Sequence, residues 1–154
     1  MNKKLKWCFK LKEGLRIVEP NERLAKAYLR ESKSSLERAE KDFKDDDLLW
    51  ATVIIYYADY YALYSFLQKI GVKCENHSCS IEVVKTMLGK EQVKTIEKHK
   101  DKRIDAQYYM KIDKQKEVAQ MLQECKTFVA EFDQIVENLS EKDIKNFRKD
   151  LKED

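Results

Sequence analysis

The chain has 154 residues, a length that fits one domain with one hydrophobic core. It contains three glycines and one proline, and 38% of its residues are charged, a composition typical of helical proteins and poor in turn-forming residues. The 31 basic and 28 acidic residues leave a net charge of +3, which excludes the strongly basic balance of a dedicated nucleic-acid binder. Any contact with RNA must therefore be local.

The sequence shows no signal for a membrane or for export. It has no apolar run near the roughly 20 residues that a membrane span needs, and its first residues lack the continuous apolar block of a signal peptide. Four cysteines, Cys8, Cys74, Cys79 and Cys125, are few and lie far apart in the sequence. We expect a cytoplasmic protein without a membrane partner, in which these cysteines are free thiols.

The first 19 residues contain an alternating segment. Leu5, Trp7, Phe9 and Leu11 alternate with lysines, a period of two that indicates an extended strand. A lone strand cannot satisfy its backbone hydrogen bonds internally. We expect residues 1–19 to form an extended arm that either packs on its own bundle or crosses to a second copy of the chain.

Two long helices follow this arm. Pro20 precedes apolar residues spaced by three, four and seven positions, which predicts a helix over about residues 20–44. The acidic run 45–47 predicts a break and an N-terminal cap, and Gly71 predicts the end of the second helix. That helix is apolar nearly all round and contains one charged residue between Trp50 and Leu67, Asp59, so it should be the central helix of a bundle.

The rest of the chain also has helical patterns. After a loop at 72–77, we expect a short helix that starts near Ser78 or Ser80 and ends at Gly89, then a helix that includes residues 98–111. From about residue 114, apolar residues recur at steps of four and three through Val136, and Ser140 begins a capping-box pattern. The sequence thus predicts an all-α, antiparallel up-and-down bundle of four to five main helices at 20–139, with the arm at 1–19 and a polar C-terminal helix at 140–154.

Five tyrosines of the second helix have two interpretations, as core residues or as a platform for stacking bases. They are Tyr56, Tyr57, Tyr60, Tyr61 and Tyr64, and their isoleucine, leucine and phenylalanine neighbours favour the core. A buried hydroxyl without a hydrogen bond costs about 1 to 3 kcal/mol. Some of these tyrosines should therefore line a groove or a dimer interface.

Cys74, His77 and Cys79 are weak candidates for a zinc site. They supply three soft ligands within six residues, and Cys8 or Cys125 could supply a fourth. Structural zinc sites usually pair two such ligand clusters, and this sequence has one. We therefore expect no metal and no cofactor.

Several features together resemble a known family. They are the Tyr-rich second helix, His77 in the following loop, the segment Arg103-Ile-Asp-Ala-Gln-Tyr-Tyr109, and Glu117-Val-Ala with Phe128. In order and spacing these features resemble small prokaryotic and archaeal HEPN proteins over about residues 22–136. The resemblance implies an antiparallel helical bundle, frequent homodimers, and pairing with a minimal nucleotidyltransferase as toxin and antitoxin.

The resemblance also implies a site around Arg103. Catalytic HEPN members cleave RNA without metal, using an arginine followed four to six residues later by a histidine; here Gln107, Tyr108 and Tyr109 occupy those positions. A histidine with a pKa near 6.5 titrates around neutral pH, whereas a tyrosine at about 10 does not. We therefore expect binding or partnering instead of efficient cleavage, with Arg103 as a phosphate contact.

The candidate phosphate- or RNA-binding residues are Arg103, Asp105, Gln107, Tyr108, Tyr109, His77 and His99. His99 precedes Arg103 by four residues and shares its predicted helix face, a reversed order that could restore chemistry. Arg103 could instead be a surface residue paired with an acid. The lysines of 94–102 and 111–116 alternate with acids, which favours solvated helix faces.

Three functional hypotheses remain open at this stage. The first is a non-catalytic module associated with a nucleotide, RNA or a nucleotidyltransferase partner in a toxin–antitoxin type system. The second is a metal-independent endoribonuclease toxin that uses Arg103 with a non-standard acid and base. The third is a structural, dimeric interaction protein.

Overall fold

The computed structural model describes residues 2–152, which form helices and one small sheet. In chain order the elements are α1 (Lys3–Lys10), β1 (Leu15–Ile17), α2 (Glu22–Lys44), α3 (Leu48–Ile70), β2 (Val72–Cys74), α4 (His77–Leu88), a 3-10 turn (Lys90–Val93), α5 (Lys94–Tyr109), α6 (Gln115–Asn138) and α7 (Glu141–Lys152). The predicted all-α class is confirmed. Within residues 2–152, the helices are all too short or too polar to span a bilayer.

Helix α3 forms the centre of the molecule because nearly every face of it is apolar. Sixteen of its residues are buried, and it packs against α2, α5 and α6. Its start is capped by Asp47, whose carboxylate accepts the Trp50 N–H at 3.2 Å. It ends at Gly71, which adopts the left-handed conformation with φ +83°. The helix therefore runs almost as the sequence predicts.

The predicted extended arm is wrong, because residues 3–10 form a helix. The side chain of Asn2 caps α1 by accepting the Leu5 N–H at 2.8 Å. Leu5 and Cys8, three positions apart, bury one face of this helix, while Trp7 remains 50% exposed and Phe9 is half-buried. The alternation of lysine with apolar residues therefore does not mark a strand at residues 3–10.

The prediction of four free thiols is wrong for two of them. Cys8 of α1 and Cys79 of α4 form a disulfide between Cα atoms 5.7 Å apart, and both side chains are fully buried. The two residues are 71 positions apart in the sequence, so no local spacing marks them as a pair. Cys74 and Cys125 are free and buried.

The predicted loop at 72–77 contains a strand. Val72–Cys74 pairs antiparallel with Leu15–Ile17, in the register Leu15 to Cys74 and Ile17 to Val72. Strands of three residues are too short to show a periodicity. This pairing and the disulfide fix residues 2–19 onto the bundle.

The remaining helix boundaries differ by a few residues from the predicted ones. Helix α4 begins after Asn76, whose side chain accepts the Cys79 N–H at 3.0 Å, and not at Ser78 or Ser80. The predicted capping box before α7 is confirmed by reciprocal bonds between Ser140 and Asp143 at 3.0 and 3.1 Å. The last two residues of the predicted C-terminal helix lie outside the described part of the chain.

Helix α7 is fixed to the bundle by one arginine and a small apolar face. Arg148 donates from Nη1 to the carbonyls of Val18 at 2.7 Å, Ile70 at 2.9 Å and Gly71 at 3.2 Å. These carbonyls include two at the C-terminus of α3, where a positive charge is favoured. A Cβ at position 71 would collide with Arg148, so glycine is required there for space as well as for its positive φ.

We predict that Arg148→Met lowers the free energy of unfolding by about 2 to 3 kcal/mol, because the buried carbonyls lose a charged donor while the volume of the side chain is kept. Lys145→Met, at an exposed position on the same helix, is the matched control and should change stability by about 0.5 kcal/mol or less. Urea denaturation of both variants measures the difference. Equal effects of the two substitutions would show that Arg148 does not fix α7.

Candidate functional site

Arg103 lies where α5 crosses the tyrosines of α3. Its Cζ atom is 4.9 Å from the ring centroid of Tyr56 and 5.9 Å from those of Tyr57 and Tyr108, within the range of cation–π contacts. Its guanidinium donates from Nη1 to the side-chain oxygen of Gln107 at 3.1 Å. Within residues 2–152 it makes no ion pair, and its Nε is buried without a hydrogen-bond partner. The positive charge is thus held in place by neutral groups and is not neutralised by a carboxylate.

His77, the first residue of α4, lies against the same tyrosines. Its ring stacks on Tyr60 at 3.8 Å between centroids, and its Nδ1 is 2.8 Å from the Tyr56 hydroxyl. Burial, then the charges of Arg103 and Lys100, lowers the pKa of His77 to about 4. Burial also raises the pKa of Tyr56, so this phenol keeps its proton at pH 7. Two neutral groups therefore share the hydrogen bond between His77 and Tyr56.

Lys100 supplies a second cation beside Arg103. It precedes Arg103 by three residues on α5, and its Nζ donates to the Ser78 hydroxyl at 2.5 Å. Burial, then the charges of Lys4 and Arg103, lowers the pKa of Lys100. Lys4 of α1 and Lys100 and Arg103 of α5 thus lie close enough for their like charges to interact. Asp101 and Glu97 offset part of this charge at Lys100, whereas no carboxylate of residues 2–152 pairs with Arg103. The uncompensated charge of Arg103 favours an anion as a ligand.

His99 lies in the core, away from this cluster. It is fully buried, and it contacts Asp59 through Nδ1 at 2.5 Å and Glu124 through Nε2 at 3.2 Å. Both ring nitrogens face carboxylate oxygens, so both must donate and His99 is an imidazolium. Burial alone would lower the pKa of His99, but the hydrogen bonds and charges of Asp59 and Glu124 raise it. Although burial raises the pKa of Asp59, we assign the shared proton to His99 for this reason.

The structure brings together part of the candidate set. Arg103, Gln107, Tyr108 and His77 form one cluster, whereas His99 belongs to the buried triad. Asp105 is half-buried and its backbone carbonyl accepts the Lys111 N–H at 2.9 Å at the end of α5. Tyr109 is 68% exposed.

Sequence reasoning did not assign Tyr56, Tyr57, Ser78 and Lys100 to the site, or Asp59 and Glu124 to the partners of His99. The sequence contains one signal for the contact between Asp59 and His99. A carboxylate inside an otherwise apolar helix requires a buried partner, and His99 is one of two histidines in the chain.

The tyrosines of α3 divide between the core and the site. Tyr56, Tyr60 and Tyr64 are between 0 and 8% exposed, which confirms the core interpretation for these three. Their hydroxyls all have partners: that of Tyr60 bonds Ser80 at 2.9 Å, and that of Tyr64 accepts the Cys74 N–H at 3.1 Å. Tyr57 and Tyr61 are half-buried, so they are available to a ligand.

The cysteine and histidine side chains near residue 77 are otherwise engaged. Cys79 is in the disulfide, Cys74 Sγ is 3.3 Å from the Asn76 carbonyl, and His77 uses Nδ1 for Tyr56. Within residues 2–152, no group of three or more histidine, cysteine, aspartate or glutamate side chains is placed to hold a metal ion. The expectation that the protein binds no metal and no cofactor stays a prediction.

Two open clefts lie away from the Arg103 cluster. One, of about 520 Å³, lies between α2 and α6, where Lys33 pairs with Asp133 at 2.7 Å and Lys69 bonds the Val136 carbonyl at 2.5 Å. The other, of about 600 Å³, is lined by residues of both charges, including Glu141 and Arg148. In these clefts Lys33, Lys69 and Arg148 lie beside a carboxylate or carbonyls, whereas Arg103 has no such partner.

We predict that the two histidines limit stability at opposite ends of the pH range. The pKa of His77 is about 4 in the folded protein against 6.5 in the unfolded chain, so its contribution is lost as the pH falls from 6.5 to 4. The pKa of His99 is raised, so its contribution is complete below about pH 6.5 and is lost as the pH rises through its folded-state pKa.

Denaturation as a function of pH tests this assignment in matched variants. His77→Gln should make the acid decline shallower and leave the alkaline decline in place, and His99→Gln should do the reverse. Glu124→Gln, a milder change, should move the alkaline decline to lower pH, because His99 then loses one carboxylate. An alkaline decline that is unchanged in both His99→Gln and Glu124→Gln would refute the imidazolium assignment.

Comparison with known proteins identifies a family. The model of the HEPN domain family matches residues 25–139, which include α3, α4, α5 and α6 and therefore Arg103 and His77. A search of curated proteins found no match, and neither did a search of solved structures. The family match covers well over half of the chain, and the chain therefore belongs to the HEPN domain family.

Proposed function

We propose that this protein is a non-catalytic HEPN module that binds the phosphate groups of single-stranded RNA or of a nucleotide at Arg103, as one member of a two-component, toxin–antitoxin type system. The observation that carries the proposal is the unneutralised Arg103 guanidinium, held on Tyr56 and hydrogen-bonded to Gln107. A planar guanidinium matches two phosphate oxygens at once, and here no carboxylate of residues 2–152 competes for it.

The groups around Arg103 favour a phosphate ligand because they carry no negative charge. Lys100 is a cation, and the ring of His77 is neutral. Tyr108, next to Arg103, is 66% exposed and offers a ring face on which a base can stack. A phosphate with an attached base would use both features.

The same geometry argues against efficient cleavage. Attack by a 2′-hydroxyl requires a base that removes its proton and an acid that protonates the leaving oxygen near pH 7. His77 Nδ1 is engaged in a hydrogen bond with the Tyr56 hydroxyl, and with a pKa of about 4 the ring is not an acid at pH 7. The imidazolium of His99 is fully buried between two carboxylates. Neither histidine is prepared for acid–base catalysis.

We predict that Arg103→Ala weakens the binding of a fluorescein-labelled 12-nucleotide RNA by about tenfold or more, because one cationic phosphate contact is lost. The slope of log affinity against log salt should decrease by about 0.7. Fluorescence anisotropy at several salt concentrations measures both quantities.

Arg30→Ala is the matched control for this experiment. Arg30 is exposed on α2, so its loss removes the same charge from a different surface and should leave the affinity nearly unchanged. Arg103→Lys keeps the charge without the planar fork and should fall between wild type and Arg103→Ala. Equal losses in Arg103→Ala and Arg30→Ala would reduce the interaction to general electrostatics and contradict the site.

A second candidate function, metal-independent ribonuclease activity, is favoured by one observation: the fold brings His77 to Arg103 although no histidine follows Arg103 at the family spacing.

We predict no cleavage of the same RNA in EDTA at pH 7 above that of the Arg103→Ala variant. Gel analysis of labelled RNA provides the readout. Cleavage that is abolished both by Arg103→Ala and by His77→Ala would replace the binding proposal with the ribonuclease.

The partner in this proposal is a minimal nucleotidyltransferase, as HEPN membership implies. Exposed aromatic and apolar side chains support a protein contact, among them Trp50 at 48% and Met110 at 66%.

The expected homodimer also stays a prediction. Its support has changed, since the arm is a helix bound to its own chain and the half-buried Tyr57 and Tyr61 remain as features that a second copy could cover.

A further inference from the structure

Helix α1 precedes the part of the chain that matches the HEPN family, and it is attached to that part by a covalent bond. The family match begins at residue 25, whereas Cys8 of α1 is bonded to Cys79 of α4. Four of the eight residues of α1 are lysines and none is acidic. The disulfide therefore fixes a strongly cationic helix onto the part of the chain that matches the family.

The attachment point on α4 is part of the Arg103 cluster. Cys79 lies in the same helical turn as His77, which bonds Tyr56, Ser78, which bonds Lys100, and Ser80, which bonds Tyr60. On the other side of the bond, Lys4 of α1 lowers the pKa of Lys100 through its charge, so it lies near enough to contribute to the local field. The disulfide thus joins the cationic helix to the turn that shapes the site.

Without the disulfide, few interactions would hold α1 in place. Isolated helices of eight residues are unstable in water. Besides the burial of Leu5 and Cys8 and the packing of Phe9 against the core, the contacts of α1 include two weak bonds of 3.3 Å from Asn2 to Glu82 and Thr86, and an ion pair of 3.6 Å between the half-exposed Lys4 and the mostly buried Glu82. A single pair with one exposed partner contributes little to stability. The strand pair β1 and β2 would still hold residues 15–17.

We propose that the Cys8–Cys79 disulfide is a redox latch that regulates anion binding at Arg103; the inference rests on the proposed phosphate-binding function. Both cysteines are buried, so a dithiol reductant reaches the bond when α1 opens locally. Its two electrons and two protons then convert the S–S bond into two thiols, while the reductant becomes a disulfide. Helix α1 then leaves α4, the site loses the field of Lys4, and the first turn of α4 is less restrained. Phosphate binding is strong in the oxidised protein and weaker in the reduced one.

The test compares oxidised and dithiothreitol-reduced full-length protein, with the labelled 12-nucleotide RNA as the probe. Reduction should weaken binding by about fivefold or more at low salt, the lower end of typical coupling between sites. It should also increase hydrogen exchange of the amides of residues 3–10. Cys8→Ser and Cys79→Ser should bind weakly under both conditions, and Cys125→Ser, which leaves the disulfide intact, should respond to reduction as wild type does.

Lys4→Gln separates the charge of α1 from its attachment. In the oxidised protein it should weaken binding while the exchange of residues 3–10 stays slow. RNA binding that depends on Arg103 and is unchanged by reduction would overturn the latch and leave the proposed function standing. Binding absent in both redox states would overturn both proposals.

Discussion

The arrangement of this molecule depends on one buried charge. Asp59 lies in the middle of α3, a helix that is otherwise apolar from Trp50 to Leu67, and a carboxylate there is costly unless a partner reaches it. His99 of α5 is that partner, at 2.5 Å, and Glu124 of α6 contacts the other ring nitrogen. The requirement to satisfy Asp59 therefore fixes how α5 and α6 lie against the central helix.

The position of Arg103 follows from the contact between His99 and Asp59. It is one turn beyond His99 on α5, so once His99 is fixed to Asp59, Arg103 faces the turn of α3 that carries Tyr56 and Tyr57. Tyr56 in turn bonds His77 of α4, so three helices meet at one cation. The two histidines then have opposite states, since His99 is charged among carboxylates and His77 is neutral among cations. Asp59 and Glu124 contact His99, whereas the positive charge of Arg103 has no carboxylate partner.

The sequence predicted those parts of the fold that depend on local pattern. The helices α2, α3 and α6, the end of α3 at Gly71 and the box at Ser140 follow from periodicity and capping, which act over a few residues. The disulfide, the β1–β2 pair and the meeting of His77 with Arg103 depend on groups distant in the chain, and periodicity contains no such information. The prediction for residues 3–10 was wrong for a different reason. Over so short a segment, the alternation of lysine with apolar residues also fits a strand. The cap at Asn2 and the burial of Leu5 and Cys8 stabilise a helix instead.

The central claim is that Arg103 binds phosphate beside a neutral, non-catalytic His77. Nuclear magnetic resonance of ¹⁵N-labelled protein tests it directly, by titration with the 12-nucleotide RNA at pH 7. The side-chain Nε–H signal of Arg103 and the ring signals of His77 should shift on binding, whereas those of His99 should not. The His77 signals should stay in the range of a neutral ring, and the RNA should remain intact. Shifts confined to other surfaces, or a protonated His77 ring together with cleaved RNA, would contradict the account.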